Sequence, residues 1–171
     1  MAETVTLQSN GQWTAFDVDT SASNSGGPEW IALSGDPLTF HFELLKPTTL
    51  DVVDGGFSGD VFKVYDNHGT TLLGQTSSAV NNSYPASVGL NFDAAFANSN
   101  YSKGSFLLGA GTHNITGLLW VSALDNTGQP IYASVGAVRL NIPAVPEPET
   151  VWLLLTGGLV TFARLRKAKS I

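Results

Sequence analysis

Leu38-Thr39-Phe40-His41-Phe42-Glu43-Leu44 places an apolar side chain at every second position. Successive side chains of a β-strand point to opposite faces, so Leu38, Phe40, Phe42 and Leu44 share a buried face while Thr39, His41 and Glu43 face outward. Working outward from this stretch, short apolar runs recur at 4–8, 13–18, 30–33, 38–45, 49–53, 62–65, 71–75, 105–108, 114–123 and 133–142. Turn-forming clusters separate them: Ser-Gly-Asp-Pro at 34–37, Lys-Pro-Thr at 46–48, Asp-Gly-Gly at 54–56, Asp-Asn-His-Gly at 66–69 and Asp-Asn-Thr-Gly at 125–128. Residues 20–29 and 77–87 read as longer loops, and 93–98 as a single helical turn with Asp93 at its N-cap. The expectation is an all-β chain, a jelly-roll-type β-sandwich of about 8–10 strands over residues 1–143, with a short C-terminal hydrophobic helix inside a tail of residues 144–171.

Composition narrows the partners. Residues 1–143 carry twelve acidic side chains against Lys46, Lys63, Lys103 and Arg139, a net of −8. A surface of that sign repels phosphate backbones, which argues against nucleic acid, and it is compatible with divalent cations. The absence of cysteine excludes disulfides, thiolate metal sites and cysteine nucleophiles, so stability must come from the core. The first seven residues have neither a basic nor an apolar region of the kind a signal peptide needs. Export would then imply a signal peptide removed ahead of this chain.

Among side chains able to do chemistry, the hairpin segment 51–66 is the richest. Hard cations take six to eight oxygen ligands. Asp54, Asp60 and Asp66 stand at its loop positions beside glycines that permit tight turns, which makes calcium the one possible cofactor; as an alternative, each aspartate caps its own turn. His41, His68 and His113 lack metal-ligand spacing and read as solvent-facing. Ser58 lies in Gly56-Phe57-Ser58-Gly59, not in the Gly-x-Ser-x-Gly order of a nucleophile elbow. Asp17 and Asp19 share a strand face without an identifiable opposing partner. No enzymatic activity is expected. Of the aromatic residues, most sit in apolar runs and read as core; Tyr84 and Tyr101, flanked by Asn, Ser and Pro, are the candidates for an exposed sugar-stacking surface.

The tail has a separate logic. Val145-Pro146-Glu147-Pro148 is held extended by its prolines. An uncharged run follows over 151–163, including Val151, Trp152, Leu153, Leu154, Leu155, Leu159, Val160 and Phe162. As a helix it would be roughly 20 Å long, shorter than a hydrocarbon core of ~30 Å. Arg164, Arg166, Lys167 and Lys169 form a basic end, which would stay on the cytoplasmic side and place the preceding domain outside.

This order of motif, apolar run and basic end resembles the PEP-CTERM sorting domain of Gram-negative bacteria that make extracellular polysaccharide. The resemblance implies exosortase as a partner, inner-membrane anchorage through the C-terminal helix before processing, and then delivery to the cell surface or matrix. The basic end departs from the family in reading Arg-Leu-Arg-Lys where an unbroken arginine cluster is usual. The segment from Asp51 to Asn67, with Leu73-Gly74, is similar to a hairpin of many PEP-CTERM passengers and, loosely, of CUB-like sandwiches, where loop acids can hold calcium. The expected function is that of an exported, non-enzymatic surface or matrix protein linked to exopolysaccharide or biofilm; the alternative is a carbohydrate-binding module that retains exopolysaccharide.

Overall fold

The computed structural model describes residues 1–78 and 87–141. It contains nine strands and one short helix in the order β1 (Glu3–Thr6), β2 (Thr14–Asp19), β3 (Leu38–Leu44), β4 (Thr48–Asp54), β5 (Val61–Asp66), β6 (Thr71–Gln75), α1 (Phe92–Ala97), β7 (Lys103–Leu108), β8 (Gly111–Val121) and β9 (Ala133–Asn141). One sheet has the order β1-β3-β8-β5-β6 and the other β2-β9-β4-β7. Apart from β1, which adds in parallel to β3, every pairing is antiparallel. Facing sheets ordered β3-β8-β5-β6 and β2-β9-β4-β7 form the double Greek key of a jelly roll. The expected fold class is therefore met.

The alternation at 38–44 is what closes the sandwich. Leu38, Phe40, Phe42 and Leu44 all enter the main core, alongside Phe16 and Val18 of β2, Leu50 and Val52 of β4, Phe62 and Val64 of β5, Ile115 and Leu119 of β8, and Val138 and Leu140 of β9. Register confirms the shared face, since Phe40 pairs with Ile115 and Phe42 with His113. At the centre Phe16 stacks on Trp30 with ring centroids 3.9 Å apart, and Phe40 and Phe62 meet the indole edge-on. Two glycines make room: a Cβ on Gly117 would collide with the Trp30 ring, and one on Gly136 with Phe16.

Residues 30–33, expected as a strand, form only isolated bridges. Ile31 pairs with Asp17 and Pro37, and Glu29 with Leu118, so this segment joins edge strand β2 of one sheet to central strand β8 of the other while Trp30 plugs the core between them. The helical turn exists, but its N-cap is Asn91, whose side-chain oxygen accepts from the Ala94 N–H; Asp93 lies in the first turn. Asp93 is pulled there because it accepts from Trp13 Nε1 at 2.8 Å and Arg139 Nη1 at 3.1 Å. Helix α1 covers one end of the four-stranded sheet's outer face, where Val53, Phe92, Ala95, Tyr101 and Ala137 form a second, smaller core. Lys103 Nζ donates to the carbonyls of Phe96 and Asn98 at the helix C-terminus. The expected C-terminal helix lies outside the described residues, and no helix among those described is long and apolar enough to cross a membrane.

Candidate functional site

Residues 51–66, expected as a hairpin, instead cross from one sheet to the other, since β4 pairs with β7 and β9 whereas β5 pairs with β6 and β8, and the three aspartates are not brought together. Asp60 precedes β5 and Asp66 ends it, so a strand of about 20 Å separates them at ~3.3 Å per residue. Among the described residues no group of three or more His, Cys, Asp or Glu side chains is placed to hold a metal ion. Asp54 and Asp60 do meet, at one end of the sandwich. Asp54 Oδ2 accepts the N–H groups of Gly59 at 3.1 Å and Asp60 at 3.3 Å, which folds the β4–β5 crossover onto its own start. Asp60 Oδ1 accepts from Ala123 N–H at 2.7 Å and Oδ2 from Ser134 Oγ at 2.5 Å, tying that crossover to the start of β9. Burial, and then the neighbouring Asp60 charge, push the Asp54 carboxyl up to about 9; burial pushes Asp60 up to about 6 against the Ser134 and Ala123 hydrogen bonds.

Asp66 has the opposite surroundings. Its Oδ2 lies 2.7 Å from His113 Nδ1, and its Oδ1 accepts from Asn67 N–H at 2.6 Å and Asn114 N–H at 2.9 Å. Burial raises this carboxyl, but the bonds from His113, Asn114 and Asn67 outweigh it and hold it below the ordinary range. His113, expected in solvent, is buried: its ring stacks on Phe42 at 5.5 Å and its Nε2 lies 3.0 Å from the Gly109 carbonyl. The inward parity of β8 that carries Ile115 and Leu119 carries His113 with them.

Asp17 and Asp19 border a cleft of about 290 Å³ with Ile31, Leu33 and Ser134. Burial, then the charge of Asp19, raise Asp17, whereas bonds from Ser21, side chain first, lower Asp19. The Asp19 Oδ1 that would act in chemistry is occupied in capping the turn through Ser21 N–H, Ser21 Oγ and Ala22 N–H.

Of the two tyrosines expected to stack on sugar, Tyr101 is unavailable for that role. Tyr101 is 2% exposed, because its hydroxyl reaches the Gly56 carbonyl at 3.0 Å and accepts from Val88 N–H at 3.1 Å beneath α1. Tyr84 lies outside the described residues, as do Val145 to Pro148, the apolar run and the basic end.

The aromatic surface that sequence reasoning missed is on the outer face of the five-stranded sheet. Trp120 of β8 is 57% exposed, with Lys63 Nζ of β5 3.0 Å from its ring centroid. Next to it Lys63 pairs with Leu118, and Tyr65 with Thr116 on β8 and Leu72 on β6. A groove of about 390 Å³ follows this face, lined by Tyr65, Thr39, Thr116, Leu118 and Glu29 among others. Parity was the available signal: with Ile115, Gly117 and Leu119 inward, Trp120 must point out.

No protein-family model and no curated protein matches this chain. Among solved structures it is similar to the pre-peptidase C-terminal domain of a collagenase from Bacillus anthracis, at 8% identity over 82% of this chain and 95% of that one, with a TM-score of 0.41.

Proposed function

We propose that the chain is an exported, non-enzymatic surface or extracellular-matrix protein, sorted through its tail and linked to exopolysaccharide or biofilm. The observation that carries this reading is the order of Val145-Pro146-Glu147-Pro148, the uncharged run 151–163 and the basic end Arg164–Lys169. Exosortase and the membrane are the partners of the tail; exopolysaccharide is the partner of the folded domain. A non-enzymatic role is supported by how most of the carboxylate oxygens are used: Asp60 and Asp66 spend both, and Asp54 and Asp19 one each, on backbone N–H groups and nearby side chains that fix turns and crossovers, while Asp54 Oδ1 is buried without a hydrogen-bond partner among the described residues. The acidic surface argues against nucleic acid.

Deleting residues 144–171 in the native host tests this. The account expects the truncated domain to leave the membrane or surface fraction while remaining folded. Unchanged fractionation refutes the sorting role. A second reading, a carbohydrate-binding module that retains exopolysaccharide, is supported by the exposed aromatic face around Trp120.

A further inference from the structure

We propose that the outer face of the five-stranded sheet, from Trp120 to Tyr65, binds a chain of uncharged pyranose sugars. A large indole held out of the core on a regular strand leaves apolar surface in water, and a contiguous exposed apolar surface marks a binding site more often than chance packing does. Trp120 is not isolated: Leu118 is half-buried beside it, and Leu72, 56% exposed, lies across from Tyr65. Lys63 rests on the Trp120 ring and fixes its orientation, so less freedom is lost when a ligand docks.

Length and polarity select the occupant. Trp120 lies four residues beyond Thr116, the partner of Tyr65, which puts roughly 13 Å of strand between the two aromatics. That exceeds one sugar ring, so the face from Trp120 to Tyr65 takes an oligosaccharide segment. Between the rings lies Leu118, paired with Lys63 on one side and Glu29 on the other, opposite charges that leave the face neutral; hydroxyls come from Thr116, opposite Tyr65, and from Thr4 of β1 on the far side of β8, whereas its partner Thr39 is buried. A pyranose offers an apolar C–H face to an aromatic ring and hydroxyl edges to such groups. A phosphate-bearing polymer or an anionic lipid surface would meet a chain of net charge −6 with one engaged lysine on this face.

This inference deepens the exopolysaccharide reading and rests on it, but it is tested on purified full-length protein, so a failure of sorting in cells and a failure of binding are separate results. Affinity electrophoresis through gels containing hydroxyethyl cellulose, galactomannan, dextran or alginate gives the readout. The expected result is retardation by at least one of the three neutral polymers, with the apparent Kd raised tenfold or more by Trp120→Ala and by Tyr65→Ala, and largely restored by Trp120→Phe. Unchanged far-ultraviolet spectra of the variants assign the loss to the face and not to unfolding. No retardation by any neutral polymer, or retardation that Trp120→Ala leaves intact, overturns the proposal. So does concentration-dependent self-association abolished by Trp120→Ala in the absence of retardation, which would give the face to a second copy of the chain.

Discussion

Trp13 and Trp120 stand on opposite outer faces of the sandwich, each with a cation over its ring, and their settings diverge. Arg139 lies 4.2 Å from the Trp13 centroid and Lys63 3.0 Å from that of Trp120. Trp13 is also roofed by Phe92 and Phe96 of α1, at 6.3 and 5.5 Å, and its Nε1 donates to Asp93. Arg139 in turn bonds Asp51 and Asp93, so indole, guanidinium and two carboxylates form one connected unit that fastens the helix to the four-stranded sheet. Among the described residues, Trp120 has the cation without such an aromatic roof. The difference teaches that a cation over a ring does not by itself mark a structural or a binding role; what covers the other side of the ring does.

The largest effect that would break this comparison falls on the roofed face. Trp13→Ala removes ring packing, the cation contact and a hydrogen bond to Asp93, and should cost about 2–4 kcal/mol in urea unfolding. A loss below ~0.5 kcal/mol, the range of ordinary surface substitutions, would mean that α1 is held by something else.

Next in size is an effect of pH at the end of the sandwich beneath that face, where Tyr101 bonds Gly56 beside Asp54. Asp54 at about 9 and Asp60 at about 6 both lie above their ordinary value of 3.8. The folded state therefore holds protons that the unfolded chain has released, so this contribution is complete below about pH 4 and is lost as pH rises through 6 toward 9. Asp66, lowered by its partners, contributes in the opposite sense: its share is present above 3.8 and is lost as pH falls through its depressed value. Asp54→Asn should thus stabilise the protein at pH 8 by more than ~1.4 kcal/mol, the equivalent of one pKa unit, and change little at pH 4. Urea unfolding of both proteins at both pH values checks this; equal effects at the two pH values contradict it.

Much of this architecture is legible from period-two alternation and turn residues, because both act locally: Leu38–Leu44, the Asp66–Gly69 turn and the jelly-roll class all follow from them. What is not legible depends on contacts distant in sequence. Tyr101, between Asn100 and Ser102, has the sequence surroundings of an exposed residue, yet helix α1 and the Gly56 carbonyl bury it. The acids at Asp54, Asp60 and Asp66 read as one loop cluster, but β5 carries Asp66 to the opposite end of the sandwich from the other two. Residues 30–33 have strand-like composition and still form no ladder, because Trp30 is drawn between the sheets over Gly117. His113 and Trp120, by contrast, are readable from the parity of β8, since inward Ile115 and Leu119 fix both.

The smallest expected effect is the most direct test that one outer face holds the fold together and the other is free to bind. Trp120→Ala, measured by urea unfolding beside wild type and Trp13→Ala, should leave stability within ~0.5 kcal/mol of wild type, because the side chain loses exposed surface and a single cation contact without opening a cavity. A loss of about 2 kcal/mol or more, comparable to that of Trp13→Ala, would show that Trp120 is part of the structural framework and contradict the division between the two faces.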